Sequence, residues 1–140
     1  MRLLVDGMNV IGTRPDGWWR DRPGARRRLV GQLARLVAGG DDVMVVFDGR
    51  AADGEVEAAE ASGVTALFAP GGPNAADHAI VGLLRAIEHP EEITVVTSDA
   101  ALAERARRTG ASVEGSSALW RRLERSGGSG GTPESTESGE

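Results

Sequence analysis

Four short apolar runs punctuate the chain: Leu3–Val5, Val43–Phe47, Val64–Phe68 and Ile93–Val96. Each is rich in Val, Ile or Leu and does not alternate with polar residues, which predicts strands buried on both faces. Ala111–Glu114 is a fifth, less apolar candidate. Between the runs the pattern switches to a helical period. In Arg26–Val37, Leu29, Val30, Leu33, Leu36 and Val37 share one side, and Ala75–Glu88, Ala100–Arg108 and Ser117–Arg125 also read as helices. Glu55–Ala61 fits a short helix inside an otherwise ambiguous stretch. Gly39-Gly40, Gly63, Gly71-Gly72-Pro73, Pro90 and Gly110 fall at the joints, where turn chemistry wants them. Alternating β and α units of this size predict an α/β fold with a mainly parallel sheet between two helical layers, joined by right-handed crossovers.

One domain over residues 1–125 accommodates these elements, followed by a Gly/Ser/Glu-rich extension at 126–140 whose composition suits a flexible tail. A domain of this size buries roughly 68% of the surface its unfolded chain exposes, so a hydrophobic core suffices without disulfides. The chain has no cysteine, which removes thiol nucleophiles and thiolate zinc sites. Met1-Arg2-Leu3-Leu4-Val5-Asp6 breaks too early for a signal-peptide core, and no apolar run approaches the roughly 20 residues of a membrane span. A cytoplasmic protein with no membrane contact is the expectation. All 16 basic residues are arginine, and the net charge is -5. Without Glu134, Glu137 and Glu140 of the tail, the body is nearly neutral, so any nucleic-acid contact should be local.

Ligands in such folds collect beyond the carboxyl ends of the strands. The first strand leads into Asp6, the second into Asp48 and the fourth into Thr97-Ser98-Asp99. Asp77 opens the helix that precedes the fourth strand, so it belongs at the same edge, and Ile80, Val81 and Leu84 follow it at spacings that turn it toward the sheet. Taken singly, each acid has an ordinary reading. Asp99 caps the next helix, Asp77 completes a capping box with Asn74, and Asp48-Gly49 and Asp6-Gly7 end strands. Together they form an acidic cluster, which needs protons or a cation because two carboxylates about 4 Å apart repel by roughly 4 kcal/mol at an effective dielectric of 20. Oxygen-only donors select Mg²⁺ or Mn²⁺, and such an ion supports phosphodiester hydrolysis. Asn9 is a candidate to orient a metal-bound water or a phosphate, and Ser98 and Thr97 are candidates to hydrogen-bond within the site. His78 and His89 are not expected to be ligands.

Asp6-Gly7-Met8-Asn9-Val10-Ile11-Gly12, Val45-Val46-Phe47-Asp48-Gly49, Ala76-Asp77 at a helix start, and Val96-Thr97-Ser98-Asp99 followed by Gly110-Ala111 together resemble the NYN domain, in particular its YacP-like branch. The resemblance spans about residues 2 to 120 and rests on the order and spacing of the motifs. It implies a PIN-like fold with strand order 3-2-1-4-5 and a metal-dependent ribonuclease activity. It also implies that Asp6, Asp77 and Asp99 are the core acids and metal ligands, with Asn9 and Asp48 close by. One position departs from the wider pattern: Ala101 stands where many relatives carry a second acid two residues after Asp99. One held ion, with a second recruited by substrate, is the resulting expectation.

The expected partner is RNA, single-stranded, free or on the ribosome, cut internally by the chain as monomer or oligomer. Splayed phosphates can reach a cleft while bases stack on aromatics. Trp18 and Trp19 are candidates for that stacking, with Arg14, Arg20 and Arg22 on phosphates, although core packing by at least one of the tryptophans is the leading expectation. Arg26–Arg28 read as the solvated start of a helix, Trp120 as core, and Arg105, Arg107 and Arg108 as a solvated face with an option of substrate contact. Receiver domains and haloacid-dehalogenase-type phosphatases need a lysine, which the chain lacks; a P-loop and a Gly-x-Gly-x-x-Gly are also absent. The competing reading is an RNA-binding or protein-interaction module that keeps the fold and, with Ala101, has lost part of the site.

Overall fold

Strands β1 (Arg2–Asp6), β2 (Asp42–Asp48), β3 (Thr65–Ala69), β4 (Ile93–Val96) and β5 (Ser112–Glu114) form one sheet in the order β3-β2-β1-β4-β5. Every pairing is parallel. The computed structural model describes residues 1–131. Strand residues point alternately to the two sides of the sheet, and the side chains divide accordingly into two cores. Leu3, Val5, Val45 and Phe47 meet Val10, Leu29, Leu33 and Leu119 on one face, the face of α1 (Gly7–Gly12), α2 (Arg22–Ala38), α3 (Glu55–Ala61) and α6 (Ser116–Gly131). Leu4, Val46 and Val95 meet Ile80, Leu84, Leu102 and Ala106 on the other, the face of α4 (Ala75–Ala86) and α5 (Ala100–Arg108). The apolar runs of β1, β2 and β4 thus mark strands covered on both sides, as their composition predicts, whereas edge strand β3 alternates in burial and leaves Thr65 and Leu67 exposed. Among the described residues no helix is long and apolar enough to cross a membrane.

The helical layer of α1, α2 and α6 departs from the sequence reading at three places. Helix α2 begins at Arg22, not Arg26, because Asp21 caps it, accepting from the Gly24 backbone N–H at 3.0 Å, and Pro23 occupies its first turn. That earlier start puts Arg26 in the second turn, facing α3, where it is 7% exposed and forms a two-pronged ion pair with Glu55 at 2.7 and 3.0 Å. It is buried, not solvated as expected. Trp120 sits at the edge of the core and not inside it, half-buried, with its indole N–H donating to Thr13 Oγ1 at 3.0 Å. The third departure is α1 itself, a helix of six residues between two glycines that carries no amphipathic period. Gly7 is required there: a Cβ at this position would collide with the Phe47 ring, so the chain turns into α1 directly after Asp6 only because nothing projects from residue 7. Helix α6 reaches Gly131, so the expected tail shares its first residues with that helix, and 132–140 lie outside the described residues.

Candidate active site

Register brings the acids together. Val5 pairs with Val96 and Asp6 with Val46, so Asp6 ends β1 level with Thr97, while Asp48 lies two residues further along β2. Helices α4 and α5 both start at this edge, which adds Asp77 from the first turn of α4 and Asp99 from the N-cap of α5.

Each carboxylate is held differently. Asp6 is 4% exposed, and its Oδ2 accepts from the Thr97 hydroxyl at 2.9 Å. Thr97 Oγ1 in turn accepts from the Asp99 backbone N–H at 3.1 Å, so one buried hydroxyl fixes Asp6 and the turn that carries Asp99. Asp99 Oδ1 accepts from the Leu102 N–H at 2.8 Å, which is the helix cap its position suggested. The capping box of Asn74 with Asp77 is not made. Asn74 adopts a left-handed conformation with φ of 67° and its side chain caps nothing. Its place is taken by Asp48, whose Oδ1 accepts from the Ala76 N–H at 3.0 Å across 28 residues of sequence. Asp77, half-buried, makes no hydrogen bond among the described residues and is the one acid of the four whose oxygens are uncommitted.

The charges act on one another. Burial pushes the Asp6 carboxyl up to about 6; the Thr97 hydrogen bond opposes this, and the like charges of Asp77, Asp48 and Asp99 add to it. Burial also raises Asp77, reinforced by Asp99 and Asp48 and opposed by Arg105 and His78. An acidic cluster of this kind favours a cation or a proton. Among the described residues no three carboxylates or histidines converge closely enough to enclose an ion directly. The donor set instead suits a hydrated hard cation, because Mg²⁺ keeps several waters and needs only one or two carboxylates.

Asn9 and Ser98 form the wall beside the acids. Asn9 Oδ1 accepts from the Ser98 N–H at 2.8 Å and from the buried Ser116 hydroxyl at 3.4 Å, and Ser98 Oγ accepts from the Ser116 N–H at 3.0 Å. These bonds tie α1, the β4–α5 turn and the start of α6 together. Both residues lie beside the acids, with Asn9 Oδ1 and the Ser98 hydroxyl engaged in these bonds and the Asn9 amide nitrogen donating no hydrogen bond among the described residues. Sequence reasoning gave Ser98 and Thr97 the same part as hydrogen-bonding candidates, yet Thr97 is the one whose hydroxyl bonds to an acid side chain. It missed Ser116 altogether. Replacing Thr97 with valine should cost about 1–2 kcal/mol of stability through the lost hydrogen bonds. It should also raise the Asp6 pKa further, read from carboxyl NMR titration.

The aromatic and arginine segment lies apart from this network. Trp18 packs on the first core and Trp19 is 53% exposed, their rings meeting edge to face at 5.9 Å. Arg22 lies over Trp18 at 5.2 Å and Arg20 over Trp19 at 5.8 Å. Arg14 stacks on Trp120 at 4.1 Å and pairs with Glu124 at 3.3 Å, so it is anchored to α6. Among the described residues no hydrogen bond or ion pair joins Arg14, Arg20 or Arg22 to the four acids.

A family model, the YacP-like NYN domain, matches residues 3–135. A crystal structure of Rae1 (YacP) from Bacillus subtilis is 29% identical with a TM-score of 0.72, covering 90% of this chain and 75% of that one. A tryptophan-to-leucine mutant of the same protein gives 28%, 0.70, 90% and 76%. No curated protein matches the chain.

Proposed function

The chain belongs to the YacP-like NYN domain family, a PIN-like family of nuclease domains, and from that premise we propose that it is a divalent-metal-dependent ribonuclease cutting single-stranded RNA internally. The observation that carries this reading is the gathering of Asp6, Asp48, Asp77 and Asp99 at one sheet edge, where burial, reinforced by their mutual charges, raises the proton affinity of Asp6 and Asp77. Asp6, Asp77 and Asp99 are the residues that would hold a hydrated Mg²⁺ or Mn²⁺. When bound, such an ion activates water and neutralises charge on a phosphoryl oxygen.

The remaining work falls to the chain. Thr97 fixes the Asp6 carboxylate and the Asp99 turn in one geometry. Asp48 and Asp99, by capping α4 and α5, hold both helix starts at the edge. Asp77, with no hydrogen bond among the described residues, is suited to accept a hydrogen bond from the water that attacks phosphorus as the P–O bond to the leaving ribose oxygen breaks, that oxygen taking up a proton from solvent. The Asn9 amide nitrogen is suited to a phosphate oxygen. Trp19, exposed and flanked by Arg20, is suited to stack a base next to the cleaved segment. Trp19→Ala should leave the melting temperature unchanged and weaken single-stranded RNA binding about fivefold, or ~1 kcal/mol, by fluorescence anisotropy.

The direct test is incubation of mixed RNA with Mn²⁺, with Mg²⁺ and with chelator. Cleavage with either ion and none in chelator is the expected result; cleavage that survives chelation overturns the metal dependence. Ala101 lies exposed in the first turn of α5, where it adds no carboxylate. RNA binding without cleavage under every condition would therefore replace hydrolysis by a binding function.

A further inference from the structure

Helices α4 and α5 start together at the acids and run away from them over the same face of the sheet. Where they end, an open cleft of about 510 Å³ is lined by Arg85 of α4, Arg105 and Arg108 of α5, Pro90 and Thr109. Three guanidinium groups line one cleft in a body of little net charge. Among the described residues the cleft arginines have one acidic partner, Glu104, which meets Arg108 at 3.2 Å in an exposed pair easily given up. Asp77 and Arg85 are eight residues apart on one helix, about 12 Å at ~1.5 Å per residue, a distance that a short stretch of extended oligonucleotide covers.

We propose that the α4–α5 cleft is a phosphate track, in which Arg105, Arg85 and Arg108 bind successive phosphodiesters of the RNA strand flanking the one at the acids. The proposal rests on the ribonuclease reading for its occupant. Its physical logic is local charge balance. A cluster of four carboxylates repels a polyanion, and arginines along the exit path restore attraction where the strand leaves the cluster, with guanidinium forks matched to phosphate oxygens. No base edge is read by such contacts, so the track adds affinity and register without sequence preference.

The test compares the wild type with the Arg85→Gln/Arg108→Gln double variant; both side chains are exposed, and the melting temperature should not change. In chelator, anisotropy on a single-stranded RNA long enough to span both regions should show about tenfold weaker binding and a plot of log Kd against log salt shallower by about 1.4, two contacts at ~0.7 each. With Mn²⁺, KM for that RNA should rise while kcat holds, and a short oligonucleotide confined to the acids should be cut as before. An unchanged salt slope overturns the track even if the protein cleaves RNA. If the wild type cuts no RNA, the ribonuclease reading fails, and the slope in chelator still decides the track. If the variant loses affinity for polyglutamate while its RNA binding is untouched, the cleft docks an acidic protein segment and the proposal is wrong.

Discussion

Asp77→Asn should lower kcat/KM for RNA cleavage by about 10³, or ~4 kcal/mol of transition-state stabilisation, while leaving the fold intact. The contrast with its neighbours makes this substitution informative. Asp48 and Asp99 each spend an oxygen capping a helix, and Asp6 is buried against Thr97. Changing Asp48 or Asp99 puts a helix cap at risk as well as removing a charge, and changing Asp6 relieves a buried charge and so shifts stability. Asp77 has no hydrogen bond to lose among the described residues, and its charge is repelled by Asp99 and Asp48. The asparagine variant should melt at or slightly above the wild-type temperature. Loss of activity at preserved stability therefore isolates the chemical role of the carboxylate. Steady-state cleavage of a labelled RNA in Mn²⁺, with a melting curve of each protein, makes the measurement. Activity within tenfold of the wild type would remove Asp77 from the reaction and leave the acidic edge as a structural or binding feature.

How far these residues could be placed from sequence depended on the range of the interactions that hold them. Strands β1 to β4 were legible because each is a short apolar run, a property of a few consecutive positions, although in edge strand β3 only one face is buried. The side of the sheet to which Asp6, Asp48 and Asp99 belong followed from their places at strand ends, and Asp77 from its place at a helix start. The strand order rested on the family resemblance, and the sheet has that order. What escaped was set by contacts between distant segments. Nothing near Asn74 reveals that it adopts φ of 67° and that Asp48 caps α4 in its stead. Arg26 reads as a solvated residue until Glu55, 29 positions away, is seen to bury it. The bonds of Ser116 to Asn9 and Ser98 join three segments whose proximity only the finished fold creates. Helix α1 was invisible for the opposite reason: six residues between glycines are too few to show a period, and the helix exists because Gly7 lets it pass under Phe47.

Asp6→Asn should make the metal-free protein more stable at pH 8, by about 2–3 kcal/mol, and should abolish stabilisation by Mn²⁺. The sign follows from the raised pKa. Below pH 3.8 the carboxyl is protonated in both folded and unfolded chains and contributes no difference. As pH climbs from 3.8 to about 6, the unfolded chain has released the proton that the folded one still holds, so stability falls. Above about 6 the penalty is complete, on the order of 3 kcal/mol, since each tenfold rise in proton affinity between 3.8 and about 6 is worth about 1.36 kcal/mol. Asparagine keeps the shape and removes the charge, and Thr97 Oγ1 can accept from its amide. In chelator at pH 8 the variant should melt roughly 8 °C above the wild type, and at pH 4 the two should coincide. Adding Mn²⁺ should raise the wild type and not the variant, because a bound cation relieves the repulsion that the substitution has already removed. A variant that melts below the wild type in chelator at pH 8 would show that Asp6 is held as a favourable buried anion, leaving no unfavourable charge at this edge for a cation to neutralise.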